Sequence, residues 1–136
     1  MRRRKAREYA LQILFQIDFT GKKIDVKYLE EFWSDKKEGA DVKEFAEELV
    51  WGTINRLDEI DSMIEKVAKN WLLERMSAVD RNILRFAAYE ILYRKDIPSA
   101  VTINEAIEIA KKFSSVDAAP FINGVLDRLS KEVGKP

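Results

Sequence analysis

The chain has 136 residues, with 24 basic and 24 acidic side chains, 46% hydrophobic residues, and neither cysteine nor histidine. That length and balance specify one folded unit over 1–136 rather than a disordered chain. The missing residue types exclude a disulfide framework, thiolate metal sites and the usual general base near neutral pH.

Overall neutrality hides a polarised molecule. Five of the first seven residues are basic and none is acidic, so the first seven carry +5 and the remainder −5. With only five glycines and three prolines, long periodic runs dominate and the pattern predicts an all-α protein. On a helical wheel for residues 2–19, Ala6, Ala10, Ile13 and Ile17 cluster within ~60°, flanked by Leu14, and form the core face. Phe15 points away from that face, with Leu11 and Arg4 beside it and Arg7 at the margin. The first helix is therefore expected to have a smaller second face that mixes an aromatic ring with arginines. Thr20-Gly21 is expected to end it, glycine being the favoured left-handed cap.

Asp25 is expected to cap a short helix carrying Val26, Leu29, Phe32 and Trp33, followed by a solvated loop from Ser34 to Ala40. Asp41 is expected to cap the next helix, along which one apolar stripe runs through Val42, Phe45, Leu49, Ile54, Ile60, Ile64 and Val67 to Trp71. The stripe predicts a single helix of roughly 30 residues and ~45 Å, bending near Gly52, with Trp51 and Trp71 in the core. The division is then an N-terminal subdomain over about 1–70 and a C-terminal one over about 71–136. Leu72 to Met76 reads as a further helical turn. Ser77 with Asp80 forms a capping-box pattern for a helix apolar around much of its circumference, which places that helix at the centre. After Pro98, a helix starting at Ser99 or Thr102 carries Ile103, Ala106, Ile107, Ala110 and Phe113. A last helix begins near Ala118, with Ile122, Val125, Leu126 and Leu129 inward, Gly124 permitting close helix approach and Phe121 exposed near the loop.

No phosphate-cradling glycine loop, nucleophile–base set or metal motif is present, so neither an enzyme nor a cofactor is expected. Carboxylates at helical spacing, such as Glu44, Glu47 and Glu48, or Glu105 and Glu108, read as solvated faces. No apolar run approaches the ~18–20 residues of a membrane span, and the segment behind the basic start does not read as a secretory signal. A cytoplasmic location follows as an expectation. What remains is recognition. The arm offers salt-sensitive affinity for phosphate, Phe15 and Phe121 offer stacking, and Asp80, Asp117 and Asn123 offer acceptors or donors for base edges. The plainer reading of the arm is a solubilising terminus.

Four blocks carry a resemblance. They are Arg3-Arg-Lys-Ala-Arg-Glu8 with Ala10-Leu-Gln-Ile-Leu14; Val79-Asp-Arg-Asn-Ile-Leu-Arg85 with Ala88-Tyr-Glu-Ile-Leu92; Ile103-Asn-Glu-Ala-Ile-Glu-Ile-Ala-Lys-Lys-Phe113; and Phe121-Ile-Asn-Gly-Val-Leu-Asp127. With them the chain resembles the NusB family of bacterial transcription antitermination factors over essentially its whole length. The resemblance implies two small helical bundles joined through a long helix. It also implies binding to boxA RNA of nascent ribosomal transcripts together with NusE, within the RNA polymerase antitermination complex. RNA contact would fall to Arg2, Arg3, Arg4, Lys5 and Arg7, to Phe15, to Asp80, and to Asp117 with Phe121; NusE would be met by Glu74, Asp80 and Arg81. Two departures stand out. A tyrosine is common where this chain has Phe15, and a basic residue usually stands where it has Pro120. Family members also occur fused to rRNA cytosine methyltransferases; with no such domain after Pro136, a stand-alone factor is expected. The alternative is a helical protein–protein adaptor or a homodimer whose arm only solubilises.

Overall fold

The computed structural model describes residues 2–69 and 71–136. Among them the regular structure is helical: α1 (Arg3–Thr20), α2 (Val26–Trp33), α3 (Ala40–Asn55), α4 (Leu57–Ala68), a 3-10 turn (Leu73–Arg75), α5 (Ala78–Tyr93), α6 (Ser99–Phe113) and α7 (Ala118–Glu132). The all-α expectation holds. α5 packs against α1, α3, α4, α6 and α7, so the helix with the least polar circumference is the central one. Ile83, Leu84, Phe86, Ala87 and Ala88 on it are fully enclosed. Around it, Ala6, Ala10 and Ile13 of α1 and Ile122, Val125, Leu126 and Leu129 of α7 also have no exposed surface, as their spacing predicts.

Local signals set three of the boundaries. Gly21 closes α1 at φ 71° and donates its N–H to the Ile17 carbonyl at 2.8 Å. Asp25 accepts from the Tyr28 N–H at 2.8 Å and starts α2; the Ser77 hydroxyl accepts from the Asp80 N–H at 3.1 Å and starts α5. Asp41 does not cap α3. Gly39 holds the cap position and Asp41 lies in the first turn, where its charge favours the helix dipole.

The expected 30-residue helix is two helices. Arg56, at φ −125° and ψ 26°, ends α3 and begins α4. The apolar stripe stays in phase through the break, so periodicity does not reveal it. α3 packs on α1 and α5, whereas α4 packs on α5 and α7, and a straight rod would overrun both sets of partners. Gly52 is not the bend. A Cβ there would lie 2.2 Å from the Tyr89 ring, so the glycine admits an aromatic side chain against bare backbone. Gly124 has no comparable helix neighbour: its Cβ would meet only the Arg128 side chain, at 3.5 Å.

Trp71 is not core either. Lys69 leaves α4 at φ 55°, so Trp71 falls outside the helical period and is 52% exposed. Trp51 is half-buried at the edge of the core. On α6 the inward side is Thr102, Ala106, Ile109 and Ala110, whereas Ile103 and Ile107 are half-buried and Phe113 reaches the surface. The carboxylates read as solvated faces are partly committed: Glu47 accepts from the Trp33 indole at 2.7 Å, and Glu48 pairs with Arg94.

Candidate nucleic-acid interface

α1 and α6 both pack on α5, and long ion pairs bridge the space between them. At the floor of this groove Arg7 donates from Nε and Nη2 to Glu90 of α5 at 2.7 and 2.8 Å, and the Thr102 hydroxyl donates to the same carboxylate at 2.9 Å. The Arg7 and Glu90 side chains are 2% and 0% exposed. Higher up, Arg4 forms a fork with Glu105 at 3.0 and 2.6 Å, and the Lys112 ammonium donates to Glu8 at 3.1 Å. The Arg4 hydrogen bond, opposed by partial burial, holds the Glu105 carboxyl below its usual range, and the same bond raises Arg4.

The arm is therefore the start of α1 rather than a loose tail. Arg2 pairs with Glu38 at 2.9 Å, the Arg3 guanidinium lies 4.5 Å from the Phe45 ring centre, and the Lys5 ammonium lies 5.1 Å from that of Tyr9. The groove encloses about 650 Å³, and six cations line it (Arg2, Arg3, Arg4, Lys5, Arg7 and Lys112) against the two carboxylates Glu8 and Glu105. Among the described residues four of these cations are paired, Arg2 with Glu38, Arg4 with Glu105, Arg7 with Glu90 and Lys112 with Glu8, so the excess positive charge rests on Arg3 and Lys5. Arg7 differs from its neighbours in the arm: Glu90 holds its guanidinium from inside the protein, its Nη1 lies 3.7 Å from Glu105, and its side chain is 2% exposed.

Farther along α1 the surface becomes aromatic. Phe15 is half-buried and stacks in parallel with Phe19, centroids 6.1 Å apart and planes at 6°, and Phe19 is 78% exposed. Beside them Phe15, Val79 and Phe113 line a small apolar cavity of about 300 Å³, with Leu11, Gln12 and Gln16. Asp117 is exposed at the start of α7. Phe121, four residues on, is half-buried rather than exposed and meets Trp71 edge-on at 5.9 Å. In α5, the Asp80 Oδ1 is buried without a hydrogen-bond partner among the described residues.

Of the residues expected to meet a protein partner, Glu74 and Arg81 line another cleft, of about 570 Å³, between the 3-10 turn, α4 and α5, whereas Asp80 is not part of its lining. Glu74 is exposed on it. Arg81 turns inward: Nε donates to Asp18 at 2.8 Å, and Nη1 to the Leu73 and Met76 carbonyls at 3.0 and 3.1 Å. Burial would raise the Asp18 carboxyl, but its hydrogen bonds from Arg81 and Asn82 and the charge of Arg85 hold it below its usual range.

Sequence reasoning missed Glu105, Lys112, Phe113 and Trp71 as site residues. Glu105, Lys112 and Phe113 belong to α6, and only the placement of α6 beside α1 gives them a role. The free edge of Trp71 is hidden on a helical wheel, because the helical period stops before that residue. Among the described residues no group of three or more histidine, cysteine or carboxylate side chains could hold a metal ion.

The model of the NusB family matches residues 4–131, almost the entire chain. The chain belongs to the NusB family. The transcription antitermination protein NusB of Thermodesulfovibrio yellowstonii is 51% identical over 141 residues, which cover 97% of this chain and 93% of that one. The NusB of Desulfitobacterium hafniense is also 51% identical, covering 99% of this chain and 92% of its own length. Among solved structures, T. maritima NusB superimposes with a TM-score of 0.88 at 42% identity, over 97% of this chain and 92% of that one. A structure of the antitermination factors NusB and NusE in complex with double-stranded RNA gives a TM-score of 0.86 at 29% identity, covering 96% of each chain.

Proposed function

We propose that this chain is an RNA-binding transcription antitermination factor that acts without catalysis and works with NusE in the bacterial cytoplasm. The observation that carries this reading is the groove itself, in which cations fixed on the first turns of α1 lead into the Phe15 aromatic cavity on the same helix. Arg2, Arg3, Arg4, Lys5 and Lys112 supply the phosphate contacts. Phe15 and Phe121 supply stacking for unpaired bases, and Asp80 and Asp117 accept from exocyclic amino groups while repelling phosphate. Glu8 and Glu105 keep the arm in place until RNA competes for its cations; these pairs are partly exposed and so exchange at low cost. Glu74 and the outer edge of Asp80 meet NusE, on a surface braced from within by Arg81.

The likeness to NusB in a complex with NusE and RNA supports the choice of partners. Titration of a boxA-like single strand at several salt concentrations, with NusE present, tests the reading. Arg3→Ala with Lys5→Ala lowers the salt exponent by about 0.7 for each phosphate of the single strand that is no longer neutralised. An exponent and affinity equal to wild type would refute it.

A further inference from the structure

A second group of cations lies at the far end of α7. Positions 117, 121, 124, 128 and 131 fall within ~80° of one another on a helical wheel, so Asp117 and Phe121 share one face of α7 with Arg128 and Lys131. Lys66 of α4 and Lys69 just beyond it complete a cleft of about 310 Å³ with Arg128 and Lys131.

The cleft is built rather than incidental. Arg128 Nε donates to the Val67 carbonyl at 2.8 Å and caps the end of α4, which fixes the guanidinium in place. Its Nη atoms lie along Gly124, where a Cβ would sit 3.5 Å from Nη1 and 4.0 Å from Nη2. Among the described residues those Nη atoms make no ion pair. Lys69 is held at φ 55° and ψ −123°, a conformation that strains a non-glycine residue, and such strain gathers at binding sites. Two carboxylates answer the four cations. Glu132 pairs with Lys66 at 2.5 Å and Asp127 with Lys131 at 2.9 Å, all through well-exposed side chains that a phosphate can displace.

We propose that this end of α7 is a second phosphate-binding site, which extends the RNA track beyond the Phe121–Trp71 pair. This rests on the RNA reading above. Charge alone would equally suit an acidic protein segment; continuity with Phe121 along one face of one helix favours RNA. Arg128 and Lys131 lie seven and ten residues past Phe121, ~10 and ~15 Å along the helix axis, a span of about three to four phosphates at the stacked rise.

The test compares a boxA-like single strand with the same strand extended by about six nucleotides, at the 5′ end and separately at the 3′ end. Both are titrated against salt with the full chain and NusE. One extension is expected to raise wild-type affinity about three- to ten-fold at low salt and to steepen the salt exponent by about 1–2. Lys69→Gln with Lys131→Gln, which leaves the Arg128 cap intact, abolishes that gain and leaves the short strand bound as before. Equal wild-type affinity for all strands overturns the second site but not the RNA reading. The same gain in wild type and variant also overturns the second site alone. Unchanged RNA binding with weakened NusE binding assigns the cleft to a protein and overturns the proposal. No binding of any strand by the wild-type chain overturns both readings.

Discussion

Arg7 and Glu90, 83 residues apart in the chain, form a two-pronged ion pair at 2.7 and 2.8 Å with almost no exposed surface. The pair anchors the start of α1 to the central helix, and so determines where the neighbouring cations sit. Removal of one partner leaves a buried charge uncompensated, which costs about 3–5 kcal/mol. Arg7→Met and Glu90→Gln should each lower stability on that scale in urea unfolding. Arg7→Met combined with Glu90→Leu should recover most of the loss, since no unpaired charge remains.

The same geometry separates two kinds of arginine. Arg3→Ala should change the salt dependence of RNA binding and leave the unfolding midpoint almost unaltered. Arg7→Lys should do the reverse, because it keeps the charge but loses the fork to Glu90. Equilibrium unfolding and salt titration on the two variants decide the point; equal effects on both readouts would contradict the assignment.

Phe121 and Trp71 meet edge-on at 5.9 Å, and the proposed RNA track passes them. Phe121→Ala should weaken RNA binding by about 1–3 kcal/mol, the range for loss of one stacked base, with an unaltered salt exponent. In a Trp33→Phe, Trp51→Phe background, RNA should change the fluorescence of Trp71. An unchanged spectrum would remove this pair from the interface.

Gly52 carries a packing prediction. Its Cβ would fall 2.2 Å from the Tyr89 ring, which is itself 8% exposed and held by the Glu48 carboxylate. Gly52→Ala should destabilise the fold by about 1–3 kcal/mol through overpacking, despite alanine's better helix propensity. Tyr89→Phe does not relieve the clash, whereas Tyr89→Ala in the same chain does.

Stability should be almost independent of pH near neutrality, since the chain has no histidine. Acid lability follows from Asp18 and Glu105, whose native carboxyls lie below their ordinary values of 3.8 and 4.5. Lowered native values mean that folding favours the ionised forms. Their contribution is complete above the ordinary values and is lost as pH falls through the lowered ones. Thermal midpoints at pH 7, 5, 4 and 3 should show a drop confined to the last two. Asp18→Asn should shrink that drop, because position 18 then has no carboxylate to protonate.

The one-dimensional pattern determined a great deal. Period 3.6 placed the inward residues of α1, α5 and α7, and Asp25, Ser77 and Gly21 marked helix ends, because these features act within a few residues of one another. Composition removed whole classes of chemistry, and four sequence blocks sufficed for the family. What the sequence could not determine depends on which helices become neighbours. The stripe from Val42 to Val67 gave no sign of the turn at Arg56, since the turn answers to α1 and α7 rather than to local preference. Arg7 looked like its neighbours in an arginine-rich run until α5 brought Glu90 beneath it. Lys112 joined the groove for the same reason, whereas Trp71 left the core because the chain leaves α4 at Lys69. A basic arm is a property of the sequence; a groove with a floor and two walls exists only once α1 and α6 lie on α5.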